Sequence, residues 1–285
     1  MIVGVRSSGG EAGRRSASGA GGGRDVRLLE SLERLTDRDR LICRLLSEHR
    51  VLTTCQVADI GFSGVRRARM RLSELHQLGY VDRFRLRRTG TAEPWCWVLG
   101  PLGASLVAAE RGVEVPDLPW RRGLTHALAG NERPAHLVGT NGFFSALIRS
   151  ARQRAGCELQ AWWSERRCAA EWGELVRPDG YGVWAERDAT LPFLLEYDRG
   201  TEPLARLTAK LPGYAALASA AGHANWVLFR FGGPGREAAA RRALAGSPVP
   251  VATAALRPGD APDEAVWLPV GSSGPRRRLI ELAWL

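Results

Sequence analysis

Two acidic segments in the second half of the chain carry the side chains best suited to chemistry. Asp179 follows a proline at the start of a predicted strand, and Glu196 lies near the end of the next predicted strand. We expect adjacent strands to bring these two carboxylates side by side at one sheet edge. Carboxylate oxygens suit Mg²⁺ or Mn²⁺, which keep water ligands and bind phosphate oxygens. The pair therefore predicts a metal site able to support attack on a phosphodiester.

Lys210 is the only lysine among 40 basic residues, and it lies on the predicted helix that follows the Glu196 strand. From there its ammonium would point back at the carboxylates and stabilise developing negative charge. A compact ammonium is not equivalent to a guanidinium fork, which makes Lys210 a candidate functional residue; the alternative is chance in an arginine-rich sequence. The candidate catalytic residues are Asp179, Glu196, Asp198 and Lys210, and the candidate metal ligands are Asp179 and Glu196.

The elements that must position these residues alternate between helix and strand. The order αβββαβαβ predicts a mixed α/β sheet with helices on both faces. The expected helices cover residues 136–155, 202–220 and 235–245, and the expected strands cover residues 157–163, 180–185, 191–197, 224–231 and 249–254.

The first half of the chain has a different pattern, in which helices are followed by a hairpin. Apolar residues at helical spacing predict helices near residues 26–35, 37–48, 53–58 and 65–78, and Gly79 suits a helix stop. Two-residue alternation over 81–86 and 95–99 predicts a β-hairpin, and Pro101 begins a further helix. This order is typical of a winged helix-turn-helix domain, so the predicted fold has two domains of the α+β and α/β kinds.

Arginines cluster on the two elements that a winged helix presents to DNA. Helix 65–78 would be the recognition helix, and the hairpin would be the wing. Phosphate contacts would supply affinity that is independent of sequence, and the start of the helix would read base edges. The alternative is a charged face used for protein contacts. The candidate DNA-binding residues are Arg66, Arg67, Arg69, Arg71, Arg83, Arg85, Arg87 and Arg88.

The composition of the chain restricts the class of protein and the kind of partner. The 285 residues carry a formal net charge of +10, which favours a polyanionic partner. The chain has no apolar run long enough to span a membrane and no signal peptide, so we expect a soluble, cytoplasmic protein. Its five cysteines form no CxxC pair and are expected to be buried, reduced thiols. The predicted organisation is a disordered basic tail (1–24), a DNA-binding domain (25–112), a linker (113–134) and a second domain that carries the two acidic segments (135–285).

Several other motifs have a structural interpretation that we prefer. His126 and His136 have no partner at metal-ligand spacing, which favours capping or core roles. The segment 232–235, Gly-Gly-Pro-Gly, lacks the Lys-Ser/Thr of a phosphate loop and is expected to be a strand-to-helix turn. Tyr181 and Tyr214 have the chemistry of a covalent nucleophile, yet tyrosines so close to core elements are usually packing residues.

The sequence resembles two known groups of proteins. Pro178-Asp179 followed by Glu196-x-Asp198 is similar to the PD-(D/E)xK motif of restriction-endonuclease-like nucleases. More closely, the chain from about Leu35 to Leu256 resembles the replication-relaxation family of actinobacterial plasmids and integrative elements. The strings that carry this resemblance are Pro178-Asp179-Gly180, Phe193 to Glu202, Lys210-Leu211-x-x-Tyr214 and His136-x4-Asn141. The resemblance implies a nuclease-like fold and a role in plasmid replication and DNA relaxation.

One position departs from the nuclease motif, because Asp198 occupies the place of its lysine. Either Lys210 has taken over that role from the helix or the site has lost catalysis. The leading hypothesis is therefore a protein that binds double-stranded DNA at a plasmid or mobile-element origin and nicks it with Mg²⁺ or Mn²⁺. The alternative is a non-catalytic replication or transfer regulator that uses a degenerate nuclease fold to form a homodimer. A toxin or defence nuclease is a third hypothesis.

Overall fold

The computed structural model describes residues 35–86, 94–123, 133–257 and 259–285. The predicted tail (1–24), part of the predicted linker, His126 and the candidate DNA-binding residues Arg87 and Arg88 lie outside the described residues. Residues 38–285 form one compact unit. The domain boundaries given above stay a prediction. None of the described helices combines the length and apolar character that a membrane span requires.

The described residues of the N-terminal half include four α-helices and a small sheet. The strands form a three-stranded antiparallel sheet in the order β1-β3-β2, with Arg83 opposite Trp97 and Thr53 opposite Cys96. In chain order the elements are α1 (Asp37–His49), β1 (Leu52–Thr53), α2 (Thr54–Gly61), α3 (Val65–Leu78), β2 (Val81–Arg85), β3 (Trp95–Leu99) and α4 (Pro101–Arg111).

Local sequence signals explain where these helices begin and end. Thr53 caps α2: its side chain accepts from the backbone N–H of Gln56, and the Gln56 side chain accepts from the backbone N–H of Thr53. Gly79 ends α3 with φ of 86°, a left-handed conformation that glycine adopts without steric cost. Ala68, Leu72 and Leu75 bury one face of α3, so its other face is left to solvent.

The C-terminal half is built on a six-stranded mixed sheet in the order β4-β5-β6-β7-β8-β9. Neighbours from β4 to β6 are antiparallel, β6, β7 and β8 are parallel, and β9 is antiparallel to β8. In chain order the elements are α5 (Arg133–Gln153), β4 (Cys157–Ser164), α6 (Glu165–Trp172), β5 (Gly180–Glu186), β6 (Ala189–Asp198), α7 (Leu204–Thr208), α8 (Leu211–Ala221), β7 (Trp226–Phe231), α9 (Pro234–Ala243), β8 (Val251–Ala255) and β9 (Leu268–Pro269).

Helices cover both faces of this sheet. They are needed there because successive side chains of β6 point to opposite faces and the apolar ones on each face must be buried. Phe193 and Leu195 pack on one face in the cluster that includes Phe144 of α5. Leu194 packs on the other face with Leu211 of α8. The expected mixed α/β sheet is confirmed.

The structure differs from the expected order αβββαβαβ in three ways: β9 was not expected, and two differences concern helices. Helix α6 was not expected; it is short, and the Ser164 side chain caps it by accepting from the Arg167 N–H. The single helix expected over 202–220 is two helices, because Pro212 restricts the residue before it and cannot donate a helical N–H. Lys210 therefore lies at the break, as the N-cap residue of α8, and not inside a helix.

Candidate active site and nucleic-acid interface

A cavity of about 540 Å³ opens where β5 begins and β6 ends. The antiparallel register pairs Gly180 with Leu195, and the Asp179 N–H donates to the Leu195 carbonyl over 3.0 Å. Asp179 therefore lies beside Glu196, although 16 residues separate them in the chain. Both carboxylates and Lys210 line the cavity.

Glu196 is buried and accepts hydrogen bonds at both carboxylate oxygens. Lys210 Nζ lies 2.5 Å from Oε2, and the Tyr214 hydroxyl donates to Oε1. Burial, and then the neighbouring charge of Asp179, raises the pKa of Glu196 from 4.5 to about 7, although Lys210 acts in the opposite direction. The environment of Glu196 thus favours its protonated form more than water does.

Asp179 has the opposite electrostatic environment. His136 Nε2 of α5 lies 3.1 Å from Oδ1, and the Tyr197 N–H donates to Oδ2 over 2.8 Å. Burial works against ionisation of Asp179, yet the hydrogen bond and charge of His136 lower its pKa below 3.8. Burial likewise opposes the charge on His136, but Asp179 raises the pKa of His136 above 6.5. Two neighbouring carboxyl groups with pKa values pushed apart can divide acid and base roles.

Asp198 has its own partners in the structure. Its Oδ2 accepts from Arg236 Nη2 over 2.8 Å, and its Oδ1 accepts from the Gly200 N–H. The side chain is buried and lies on the cavity wall. At the place where the nuclease motif has lysine, this protein therefore has an ion pair between a carboxylate and an arginine of α9.

The site has the oxygen chemistry that a hard divalent cation needs. Among the described residues, no group of three or more His, Cys, Asp or Glu side chains is arranged to hold a metal ion. Mg²⁺ is usually bound by only one or two carboxylates together with water and phosphate oxygens, so Asp179 and Glu196 suffice in number. The two carboxylates fit such a cation if the cation replaces two contacts of the structure. These are the contact of Asp179 with His136 and the contact of Glu196 with Lys210.

The six candidate DNA-binding arginines that the structure describes form three groups. Arg66, Arg67 and Arg69 are exposed on α3, and Arg67 donates to the Ser63 hydroxyl. Arg71 instead forms two hydrogen bonds, of 2.9 and 2.7 Å, with the buried Asp39. The last group, Arg83 and Arg85, lies over the Trp95 ring with its guanidinium carbons 4.2 and 4.3 Å from the ring centroid.

Sequence reasoning missed some residues of the cavity. His136 was assigned a capping or core role, because the 42 residues between it and Asp179 conceal the pairing. Arg50 and Arg177 also line the cavity. The one signal pointing to His136 was its place in the His136-x4-Asn141 string. Asn141 of that string donates from its side-chain amide to the backbone carbonyls of His49 and Val51.

Comparison with known proteins places this chain in a family. A family model described as replication-relaxation matches residues 43–227, more than half of the chain. No curated protein and no solved structure matches the chain. The matched range includes α3, His136, Asp179, Glu196 and Lys210. This chain belongs to the replication-relaxation family.

Proposed function

We propose that this protein binds double-stranded DNA of a plasmid or mobile element and nicks it with a divalent metal held by Asp179 and Glu196. Its family supports a role in plasmid or mobile-element replication or relaxation, and with it an interaction with DNA. The observation that carries the nicking proposal is the meeting of Asp179, Glu196 and Lys210 in one cavity.

Two interpretations of the fold support this proposal. The order of α1 to β3, with a three-stranded antiparallel sheet, agrees with a winged helix in which α3 is the recognition helix. The mixed sheet from β4 to β8, with carboxylates where β5 begins and β6 ends, agrees with a restriction-endonuclease-like domain. We take both as the fold assignments on which the function rests.

The residues of the cavity have separate tasks in phosphodiester hydrolysis. A cation bound by Asp179 and Glu196 would polarise the phosphate and lower the pKa of a water molecule. Lys210 supplies a compact positive charge next to the carboxylates, where charge on the phosphate oxygens develops. Before the cation binds, His136 holds Asp179 in place through the 3.1 Å contact that the cation would replace. The oxygen of water bonds to phosphorus as one of the two ester P–O bonds breaks; the water loses a proton, and the leaving sugar oxygen gains one.

Water is a better nucleophile here than either nearby tyrosine. The Tyr214 hydroxyl is buried and donates to Glu196, and burial raises the pKa of Tyr214 well above 10. Burial also raises the pKa of Tyr181, which is packed against Trp163. A phenol that holds its proton this firmly is a poor attacking group at neutral pH.

Relaxation of supercoiled plasmid carrying the element's own origin tests the catalytic proposal. We expect relaxation with Mg²⁺ or Mn²⁺ and none with chelator.

Variants of the cavity residues separate their roles. Asp179→Ala should abolish relaxation with DNA binding intact. Lys210→Ala should slow relaxation roughly a hundredfold, because one stabilising donor is removed. Lys210→Arg separates the need for charge from the need for a compact ammonium. Arg206→Ala is the matched control, since Arg206 lines the same cavity but pairs only with the exposed Glu202 among the described residues.

A second candidate function is a non-catalytic regulator that dimerises through a degenerate nuclease fold. The ion pair of Asp198 with Arg236 at the lysine position favours it. Tight binding to origin DNA with no metal-dependent nicking by the wild-type protein would establish this candidate and refute catalysis. Sedimentation velocity would then show whether the regulator is a homodimer.

The DNA-binding part of the proposal has its own test. Changing Arg66, Arg67 and Arg69 to Glu should weaken duplex binding and reduce the salt slope by about one for each phosphate that is no longer neutralised. Arg71→Ala should act differently: it leaves the carboxylate of Asp39 buried without this partner, so it should lower stability. Duplex binding that is unchanged in the triple variant would refute α3 as the DNA surface.

A further inference from the structure

The outward face of α3 carries an apolar side chain at its centre. Met70 is 58% exposed, and helical spacing puts it in line with Arg66 one turn before it and with Ser73 and Gln77 after it. The buried residues Ala68, Leu72 and Leu75 lie on the opposite face. Met70 therefore contributes little to the core.

A single exposed apolar side chain is common and needs no explanation by itself. The neighbours of Met70 make this one informative. Arginine pairs with the O6 and N7 of guanine, glutamine pairs with adenine, and an apolar group contacts the C5 methyl of thymine. The row Arg66, Met70, Gln77 thus presents three types of side chain that read base edges in the major groove.

Charge complementarity identifies duplex DNA as the occupant of this face. Among the described residues, Arg66 and Arg69 have no ion-pair partner, whereas Arg71, which flanks the row, is paired with Asp39 and Glu74. Cations left without partners beside a central apolar side chain match a groove lined by phosphates with base edges at its floor.

We propose that Met70 is a specificity-determining residue that contacts the C5 methyl group of a thymine in the target DNA. This inference rests on the proposed function, in which α3 enters the major groove. It adds what that function leaves open, namely which base the helix distinguishes and with which side chain.

The test replaces thymine by uracil, which removes the methyl group and leaves base pairing intact. Duplexes are first selected from a random pool with the full-length wild-type protein, and each thymine of the selected site is then replaced in turn. We expect one or two positions at which binding weakens about threefold to fivefold, the effect of one buried methyl-sized group. At those positions Met70→Ala should bind the thymine and uracil duplexes equally, because the side chain that meets the methyl group is already absent.

Two control variants define the role of the side chain. Met70→Leu should retain sensitivity to uracil, since it keeps an apolar group of similar size. Leu78→Ala, which alters another exposed apolar side chain of α3, should also retain sensitivity to uracil.

Three outcomes would overturn the inference. They are a selected site without thymine preference, a wild type that is insensitive to uracil at every position, and sensitivity to uracil that persists in Met70→Ala. If the Arg66, Arg67 and Arg69 variant loses binding while uracil has no effect, only the Met70 inference fails; if that variant binds normally, the DNA surface itself is wrong.

Discussion

His49 lies at the end of α1, buried and stacked on the Trp162 indole with 3.7 Å between the ring centroids. Its Nδ1 has no hydrogen-bond partner among the described residues. Burial lowers the pKa of His49 from 6.5 to about 3; the charge of Glu48 opposes this shift and that of Arg166 adds to it. The native protein therefore keeps this imidazole neutral in mild acid.

This buried histidine makes stability depend on pH. Between pH 6.5 and pH 3 the unfolded chain binds a proton at His49 that the native state does not, so stability falls as pH falls. At pH 5 the loss amounts to about 2 kcal/mol. His49→Phe keeps an aromatic ring against Trp162, so it should reduce the fall in urea-unfolding free energy between pH 7.5 and pH 5 by about that amount. His223→Phe, at an exposed site, is the control. An equally steep fall in His49→Phe would contradict the assignment.

At the scale of elements, the close approach of α5 to β6 sets the geometry of the cavity. A Cβ added at Gly139 would lie 2.2 Å from Cζ of Tyr197. The same tyrosine donates its backbone N–H to Asp179 and accepts a hydrogen bond from Arg230 at its hydroxyl. The missing side chain of Gly139 thus lets the helix carrying His136 reach the strand carrying Glu196.

Gly139→Ala should therefore destabilise the protein, by about 1 to 3 kcal/mol, because the ring and the strand must move. In an open helix position the same change would stabilise by about 1 kcal/mol. Gly142→Ala is the matched control on α5, since its Cβ would meet only the Gln56 side-chain amide, at 3.2 Å. Urea unfolding of both variants measures the difference. Equal or greater stability of Gly139→Ala than of Gly142→Ala would show that the approach is not tight.

At the scale of the whole molecule, α5 connects the N-terminal helices to the large sheet. Its Asn141 side chain donates to the carbonyls of Val51 and His49 over 2.6 and 3.2 Å. Its Arg152 donates to the carbonyl of Phe62 over 3.0 Å, while Phe144 packs in the core of the sheet. One helix thus contributes to both halves, which predicts that they unfold together.

We expect one unfolding transition, with tryptophan fluorescence and far-ultraviolet circular dichroism changing at the same urea concentration. Asn141→Ala should lower that midpoint, at a cost of about 1 to 3 kcal/mol, because the buried Val51 carbonyl loses this donor, while the His49 carbonyl still accepts from the Val51 N–H. Ser145→Ala should have a smaller effect, since the Ser145 hydroxyl bonds only within α5 among the described residues. Two separate transitions in the wild type would instead support independent domains at the predicted boundaries.

The sequence by itself determined the features that depend on neighbours a few positions away. The Thr53 cap, the stop at Gly79, the alternation along β6 and the basic outer face of α3 all follow from such local chemistry. The resemblance, which rests on short strings such as Pro178-Asp179-Gly180, led to the family that the comparison then confirmed. The pairing of Asp179 with Glu196 was also predictable, because adjacent antiparallel strands join nearby segments.

Only the tertiary structure decided which side chains complete the site. His136 contacts Asp179 because α5 packs across the sheet. Arg236 pairs with Asp198 because α9 directly follows β7, the strand that is paired with β6. Both contacts join residues more than 35 positions apart, and neither spacing nor propensity encodes such a separation. Pro212 is a local signal for the break between α7 and α8, but only the packing of these helices against the sheet brings Lys210 at that break to Glu196.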